Sequence, residues 1–234
     1  MKILTQNCWG VPKRNRRGRF DIIAGTIGNR PYDVVCLQEI FFSRWYKQSF
    51  AALEKYCHSY QKGVITMKGG LLTLTGQQPK EVAFHRYQVQ GNLFSQQVTD
   101  AALGKGFLET IIEDEESQEE LTIINVHNVS IYRPNHVQEM HLLAQSEQLF
   151  RHVKNKIENG RKIILAGDFN FERESMTYCA FAKLLDDSTS SLSSRWDFVF
   201  TNYGKADCAK KADYVTHRHC YPSDHPGIMV EVKL

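Results

Sequence analysis

The sequence predicts an α/β fold in which two β-sheets pack face to face with helices on the outside. Three observations carry that expectation. Apolar, largely β-branched runs of strand length recur along the chain, as in Lys2-Ile3-Leu4, Asp33-Val34-Val35-Cys36 and Lys162-Ile163-Ile164-Leu165. Strand and helix patterns alternate at the start, as βαβ units do. Hairpin-like strand pairs fill the middle, which a purely parallel sheet would not contain.

Taken in order, the first strand covers residues 2–8, and a basic run follows it: Lys13, Arg14, Arg16, Arg17 and Arg19. Such a run is either a solvated loop or an attractor for a phosphate or an anionic surface. A helix begins near Arg19, carries Phe20, Ile23 and Ile27 on one face, and ends around Gly28 before Pro31. The second strand is 33–40. A helix at 44–56 uses Trp45, Phe50 and Leu53 as apolar positions. Strands follow at 63–67, 70–75 and 81–88, with Gly69-Gly70 supplying a turn. Strands at 106–112 and 121–127 flank an acidic turn from Glu113 to Glu120. Residues 135–158 form the longest helix, where Val137, Met140, Leu143, Phe150, Val153 and Ile157 fall near a period of 3.6 and Gly160 suits the position past the end. A strand at 162–167, a helix at 176–185 and strands near 197–202, 212–216 and 227–233 complete the chain.

One domain spanning 1–234 is expected for 234 residues, of which 42% are hydrophobic and 24% charged. No apolar stretch approaches the ~20 residues of a membrane span. Met1 runs directly into a strand-like segment without the regions of a secretory signal. A cytoplasmic location is therefore the expectation, with signal-independent export as the alternative. A net charge of +3 does not by itself indicate nucleic-acid binding. The six cysteines (8, 36, 57, 179, 208 and 220) contain no C-x-x-C pair and are expected to be reduced and structural.

Four polar stretches stand out: Thr5-Gln6-Asn7, Leu37-Gln38-Glu39, Gly167-Asp168-Phe169-Asn170 and Ser223-Asp224-His225. A single carboxylate in such a place is often a cap or a salt-bridge partner. A carboxylate, an amide and an imidazole arriving from separate strand ends point instead to a hard cation and a general base. Glu39 is the first choice of metal ligand, because Mg²⁺ takes one or two carboxylates, keeps several waters and draws its other oxygens from phosphate. Asn7 would hold a water of the metal shell or orient Glu39. His225 is the candidate base, since imidazole titrates near neutrality. Asp168 and Asn170 are two apart and so project to one side of an extended segment; one would orient the attacking water and the other donate to a phosphate oxygen. G-x-S-x-G, P-loop and G-x-G-x-x-G motifs are all absent from the sequence. His217, His219 and Cys220 have no partner at zinc-site spacing and read as a flanking loop. In Phe41-Phe42-Ser43-Arg44-Trp45-Tyr46, part must form a helix's inner face; any exposed aromatics would stack on a base or dip into a lipid headgroup layer.

These motifs, in this order, resemble those of the endonuclease/exonuclease/phosphatase superfamily, metal-dependent phosphodiesterases. Gly167-Asp168-Phe169-Asn170 looks like its G-D-x-N element and Ser223-Asp224-His225 like its terminal S-D-H. Asn125-Val126-His127 is similar to the N-x-H strand end, and Trp196-Asp197-Phe198-Val199-Phe200 to the D-Y-V-F strand. The resemblance covers nearly the whole chain and implies a four-layer α/β sandwich, two central mixed β-sheets flanked by helices. It implies Mg²⁺, with Mn²⁺ as the alternative, and in-line attack of water on a phosphodiester. Asp197 would then fix the tautomer of His225, Asp224 would lie nearer the metal, and His127 would donate to the phosphoryl group. Asn7-Cys8-Trp9-Gly10-Val11-Pro12, Phe84-His85-Arg86-Tyr87 and Gly104-Lys105-Gly106-Phe107 resemble the neutral sphingomyelinase branch. A phospholipid headgroup is the first substrate expected and nucleic acid the alternative, with peripheral membrane contact, no transmembrane segment and a monomeric chain. Two departures stand out: only 52 residues separate Asn170 from Ser223, and Asn128 replaces an apolar residue usual after His127.

Overall fold

A computed structural model describes all residues except 11–14, 92–100, 102, 114–117, 132–135, 215–221 and 234. In chain order its elements are β1 (Lys2–Asn7), α1 (Arg16–Gly28), β2 (Val34–Gln38), α2 (Ser43–Ser49), β3 (Cys57–Ser59), β4 (Leu72–Thr75), β5 (Glu81–Arg86) and β6 (Gly106–Glu113). There follow β7 (Glu120–His127), α3 (His136–Glu158), β8 (Lys162–Asp168), α4 (Met176–Leu184), β9 (Asp186–Asp187), β10 (Asp197–Thr201), β11 (Lys205–Lys211) and β12 (Ile228–Lys233).

The strands make two six-stranded sheets, ordered β11-β12-β1-β2-β4-β3 and β5-β6-β7-β8-β10-β9. Each is mixed: β1 pairs with β2, and β7 with β8, in parallel, while the other pairings are antiparallel. Side-chain alternation divides the core into three layers. Ile3, Val34, Cys36, Ile123, Ile164, Ala166 and Val199 meet between the sheets. Leu4, Val35 and Leu37 face the other way, packing with Phe20 and Ile23 of α1 and Trp45 of α2. Ile124, Val126, Ile163 and Leu165 pack under Leu149 and Val153 of α3 and Phe181 of α4. Two sheets with helices outside each is the α/β sandwich that the sequence predicts. No helix among the described residues is long and apolar enough to cross a membrane.

Several elements differ from expectation. The helix expected at 44–56 is only α2, seven residues long. Trp45 and Phe50 both pack on Phe20, at 6.1 and 5.4 Å between ring centroids. In a continuous helix these two side chains would point about 140° apart, so the helix has to end between them. Residues 63–67 form no strand; only isolated bridges, Phe42 to Thr66 and Lys62 to Met67, tie this segment down. The strand expected at 212–216 is instead β11, polar and largely exposed, formed by pairing with β12; residues 215 and 216 lie outside the described set. Helix α1 starts at Arg16, with Asn15 accepting from Gly18 N as its cap, so Arg16, Arg17 and Arg19 are helical rather than loop residues. The inward stripe of α3 is Gln138, Leu142, Gln145, Ser146, Leu149 and Val153, whereas Val137, Met140 and Leu143 are exposed.

Candidate active site

The cleft continues the inter-sheet layer. Along β1 the residues alternate Ile3, Thr5, Asn7; along β7 Ile123, Asn125, His127; along β8 Ile164, Ala166, Asp168; and β10 brings Val199 and then Asp197. In each strand the last inward position is polar; the positions before it are apolar in β8 and β10, and pass from apolar to polar, at Thr5 and Asn125, in β1 and β7. Register aligns three of them in one row, because His127 is opposite Asp168 and Asp168 opposite Asp197. Gly167 makes this approach feasible: a Cβ there would lie 2.1 Å from the Val126 carbonyl oxygen.

Glu39 follows β2 with φ 66°, a left-handed conformation that side-chain-bearing residues rarely adopt. Gly10 N donates to its Oε2 at 2.7 Å, and Asn7 Nδ2 donates to its Oε1 at 3.1 Å. The same Asn7 nitrogen reaches Asp168 Oδ2 at 2.9 Å, tying the first sheet's carboxylate to the second's. His127 Nε2 is 3.8 Å from Glu39 Oε1 and 3.7 Å from Asp168 Oδ2. His225 Nδ1 is 2.8 Å from Asp197 Oδ2, while its Nε2 faces Asp168 Oδ2 at 3.9 Å. The Ser223-Asp224-His225 loop is folded by its serine, whose hydroxyl donates to Asn7 O at 2.6 Å and accepts from His225 N at 3.1 Å. Asn170, also left-handed at φ 55°, donates through Nδ2 to Asn128 O.

Glu39, Asn7, Asp168, His127, Asp197 and His225 thus share one cleft, with Asn170 at its edge. Asp224 is exposed and, among the described residues, shares no hydrogen bond or ion pair with Glu39 or Asn7; its carboxylate acts through its charge on His225.

Electrostatics follow from crowding carboxylates in a buried place. Burial raises Glu39, against the lowering influence of Lys105 and the Asn7 hydrogen bond. Burial and the charge of Asp197 bring Asp168 up to about 6, opposed by His225 and Asn7. At His225, burial opposes the charged ring, but Asp168, Asp197 and Asp224 outweigh it and lift the imidazole to about 10. Burial and Lys105 push His127 well below its ordinary value, so it is neutral.

Lys105 is the site residue that sequence chemistry missed. It is buried, and its Nζ lies 2.6 Å from His127 Nε2. The sequence marked it only inside Gly104-Lys105-Gly106-Phe107, with no role; register supplies its place, because Gly106 pairs with His127. Its cation therefore occupies the position where His127 was expected to donate. Arg19 was read as part of a basic loop. It is buried instead, donating to Trp9 O at 3.0 Å and Pro222 O at 3.4 Å, which fastens the segments carrying Asn7 and Ser223. Lys13, Arg14, His217, His219 and Cys220 lie outside the described residues.

The donor set fits a hard divalent cation. Glu39 and Asp168 present carboxylate oxygens linked through the amide nitrogen of Asn7, both raised by burial, while the Asn7 amide oxygen accepts from Trp9 N at 2.9 Å and so fixes that orientation. Asp168, Asp197 and His225 also place donor atoms within 4.8 Å of one another, but His225 Nδ1 is already engaged by Asp197.

An α/β sandwich with a carboxylate-and-imidazole cleft at the ends of its central strands defines a class of phosphoesterase scaffold. The chain belongs to the endonuclease/exonuclease/phosphatase family, whose sequence profile matches residues 4–225. It is 26% identical to a putative neutral sphingomyelinase of Drosophila melanogaster, over an alignment that takes in 100% of this chain and 61% of that protein. The chain thus spans about three-fifths of that relative's length. Among solved structures, a conserved protein of unknown function from Enterococcus faecalis V583 superposes with a TM-score of 0.78 at 17% identity, covering 100% of this chain and 99% of that one. A mutant of beta toxin from Staphylococcus aureus with bound magnesium ions superposes with a TM-score of 0.72 at 16% identity, covering 99% of each.

Proposed function

We propose that the chain is a Mg²⁺-dependent phosphodiesterase of the sphingomyelinase type, releasing a phosphorylated headgroup from a phospholipid. The observation that carries it is the His225–Asp197 pair, with Nδ1 locked at 2.8 Å and Nε2 turned toward Asp168, across the cleft from Glu39 and Asn7. Asp197 holds the Nδ1–H tautomer, which leaves Nε2 to take a proton from water. Asp168 orients that water for in-line attack on phosphorus as the P–O bond to the lipid alcohol breaks. Lys105, seated on His127, faces the oxygens on which charge builds. Glu39 would hold the cation, with Asn7 orienting its carboxylate. When bound, magnesium supplies positive charge to the phosphoryl and leaving oxygens and offsets the carboxylate field that keeps His225 protonated.

The lipid reading draws support from the name of the fly relative and from an apolar tip beside the cleft. Val64 and Ile65 are 96% and 68% exposed on the segment bridged to Phe42, three residues beyond Glu39. The nuclease reading is favoured by Arg16 and Arg44, which lie near enough that Arg44 joins burial in lowering the basicity of Arg16.

Purified protein with Mg²⁺ should hydrolyse sphingomyelin vesicles and leave duplex DNA and RNA intact. Glu39→Ala and His225→Ala should each stay folded and lose at least about 100-fold in rate. Cleavage of nucleic acid with inert vesicles would overturn the lipid assignment. Wild-type turnover in either variant would overturn the residue roles.

A further inference from the structure

A second cluster of metal-ligating side chains lies on the opposite face of the second sheet. His85 of β5 pairs with Phe107 of β6, and Ala83 with Glu109, so His85 and Glu109 share the face that α3 covers. From α3, His152 Nε2 comes within 2.6 Å of Glu109 Oε2, and Lys156 Nζ within 2.6 Å of Oε1. The rings of His85 and His152 are 4.6 Å apart, and both lie against Phe107, at 4.8 and 4.9 Å. One donor atom from each of His85, Glu109 and His152 lies within 4.8 Å of the others. His85 Nε2 is buried without a hydrogen-bond partner.

We infer that His85, Glu109 and His152 form a second cation site, selective for a transition metal of the zinc class and separate from the cleft. Two imidazoles and one carboxylate are the donor set of an open tetrahedral zinc centre, with a fourth position for water. Such a set favours Zn²⁺ over Mg²⁺, whereas the oxygen donors of the cleft favour the reverse. Ligands of a tetrahedral zinc stand about 3.3 Å apart for bonds near 2.05 Å. The 2.6 Å contact would open slightly and the wider separations close, through side-chain rotation alone. The bland alternative is a hydrogen-bonded strut between helix and sheet. It accounts for His152, Glu109 and Lys156, but leaves the buried nitrogen of His85 without a purpose. Lys156 keeps one oxygen of Glu109 and repels an arriving dication, so the site should bind more weakly than one without that ammonium.

The test uses the whole chain, stripped of metal, returned to excess Mg²⁺ and with accessible thiols alkylated. It is then titrated with Zn²⁺ by calorimetry and with Co²⁺ by visible absorption. Expected are one zinc per chain, a tetrahedral cobalt spectrum and a raised melting temperature. His85→Ala and His152→Ala should each weaken binding at least about tenfold, Lys156→Met should tighten it by a similar factor, and Glu39→Ala should leave it unchanged. The proposal is overturned if zinc does not bind at up to about 100 µM, if cobalt gives no tetrahedral spectrum, or if the Glu39 variant alone loses the zinc. Folding is monitored by circular dichroism. Should a histidine variant unfold, the wild-type cobalt spectrum and the Lys156→Met affinity decide.

Discussion

Glu39 and Asn170 both sit in left-handed backbone conformations at the cleft, a strain of about 1–3 kcal/mol each that the surroundings must hold in place. Part of what holds Glu39 is Gly10. A Cβ added there would lie 2.0 Å from the Glu39 carbonyl oxygen, and its N–H bonds the Glu39 carboxylate. Gly10→Ala should therefore displace Glu39 while the sheets stay intact. Activity is expected to fall at least about tenfold and more magnesium to be needed for half-maximal rate. A magnesium titration in steady-state assays checks this; a wild-type magnesium dependence would break the link between Gly10 and Glu39. Sequence chemistry exposed these residues because carboxylates, amides and imidazoles interrupt apolar alternation at strand ends. It could not expose Lys105, whose place depends on the register of β6 with β7, or Arg19, whose burial depends on carbonyls near Cys8 and Pro222.

Elements reveal a different limit of sequence reading. Strands β1, β2, β7 and β8 were legible because both faces are buried, so each carries an apolar run, such as Ile3-Leu4, Val34-Val35-Cys36-Leu37, Ile123-Ile124 and Ile163-Ile164-Leu165, before its polar end. Helix α3 was found, with Phe150, Val153 and Ile157 packed inward as read, but Val137, Met140 and Leu143 are exposed, because polar Gln145 points inward, accepting from Val129 N at 2.8 Å and donating to Val89 O at 2.9 Å. Strand β11 was misplaced because it is an edge strand rich in lysine, held by its partner rather than by its own propensity. Glu109 joins α3 to the second sheet, and this has a consequence in acid. Burial opposes its charge, yet His152 and Lys156 prevail and hold it down at about 2, against an ordinary 4.5. A depressed carboxyl stabilises the fold above its unfolded value and loses that contribution as pH falls toward its folded value. Urea midpoints of the wild type should therefore fall between pH 4.5 and about 2 by more than those of Glu109→Gln. The two should converge at the acid end. Parallel acid limbs would show that Glu109 contributes nothing to the helix–sheet joint.

At the scale of the whole molecule, the cleft exists because two separately hydrogen-bonded sheets deliver its two halves. Glu39 and Asn7 come from one sheet, His127, Asp168 and Asp197 from the other, so activity depends on how the sheets are keyed together. Most of the layer between them is apolar and non-directional, which fixes proximity better than alignment. Asn125 supplies direction. Fully buried two residues before His127, it donates to the carbonyls of Leu37 and Leu72 at 3.1 Å and accepts from Gln38 Nε2 at 2.8 Å, all in the opposite sheet. The sequence showed Asn125 only as part of a strand-end motif, since an inter-sheet bond has no signature in a single strand. Asn125→Ala would take a donor from two buried carbonyls, each about 1–3 kcal/mol, while Gln38 Nε2 keeps Thr5 Oγ1 and Cys36 O as acceptors. The expected loss is about 2–4 kcal/mol in denaturant unfolding, below the upper end of a simple sum because the sheets can relax. The variant should also show a lower kcat at saturating magnesium even where it remains folded, because the halves of the cleft lose their mutual register. Full stability with reduced kcat would confine Asn125 to the site. Loss of stability with unchanged kcat per folded molecule would mean that apolar packing alone aligns the sheets.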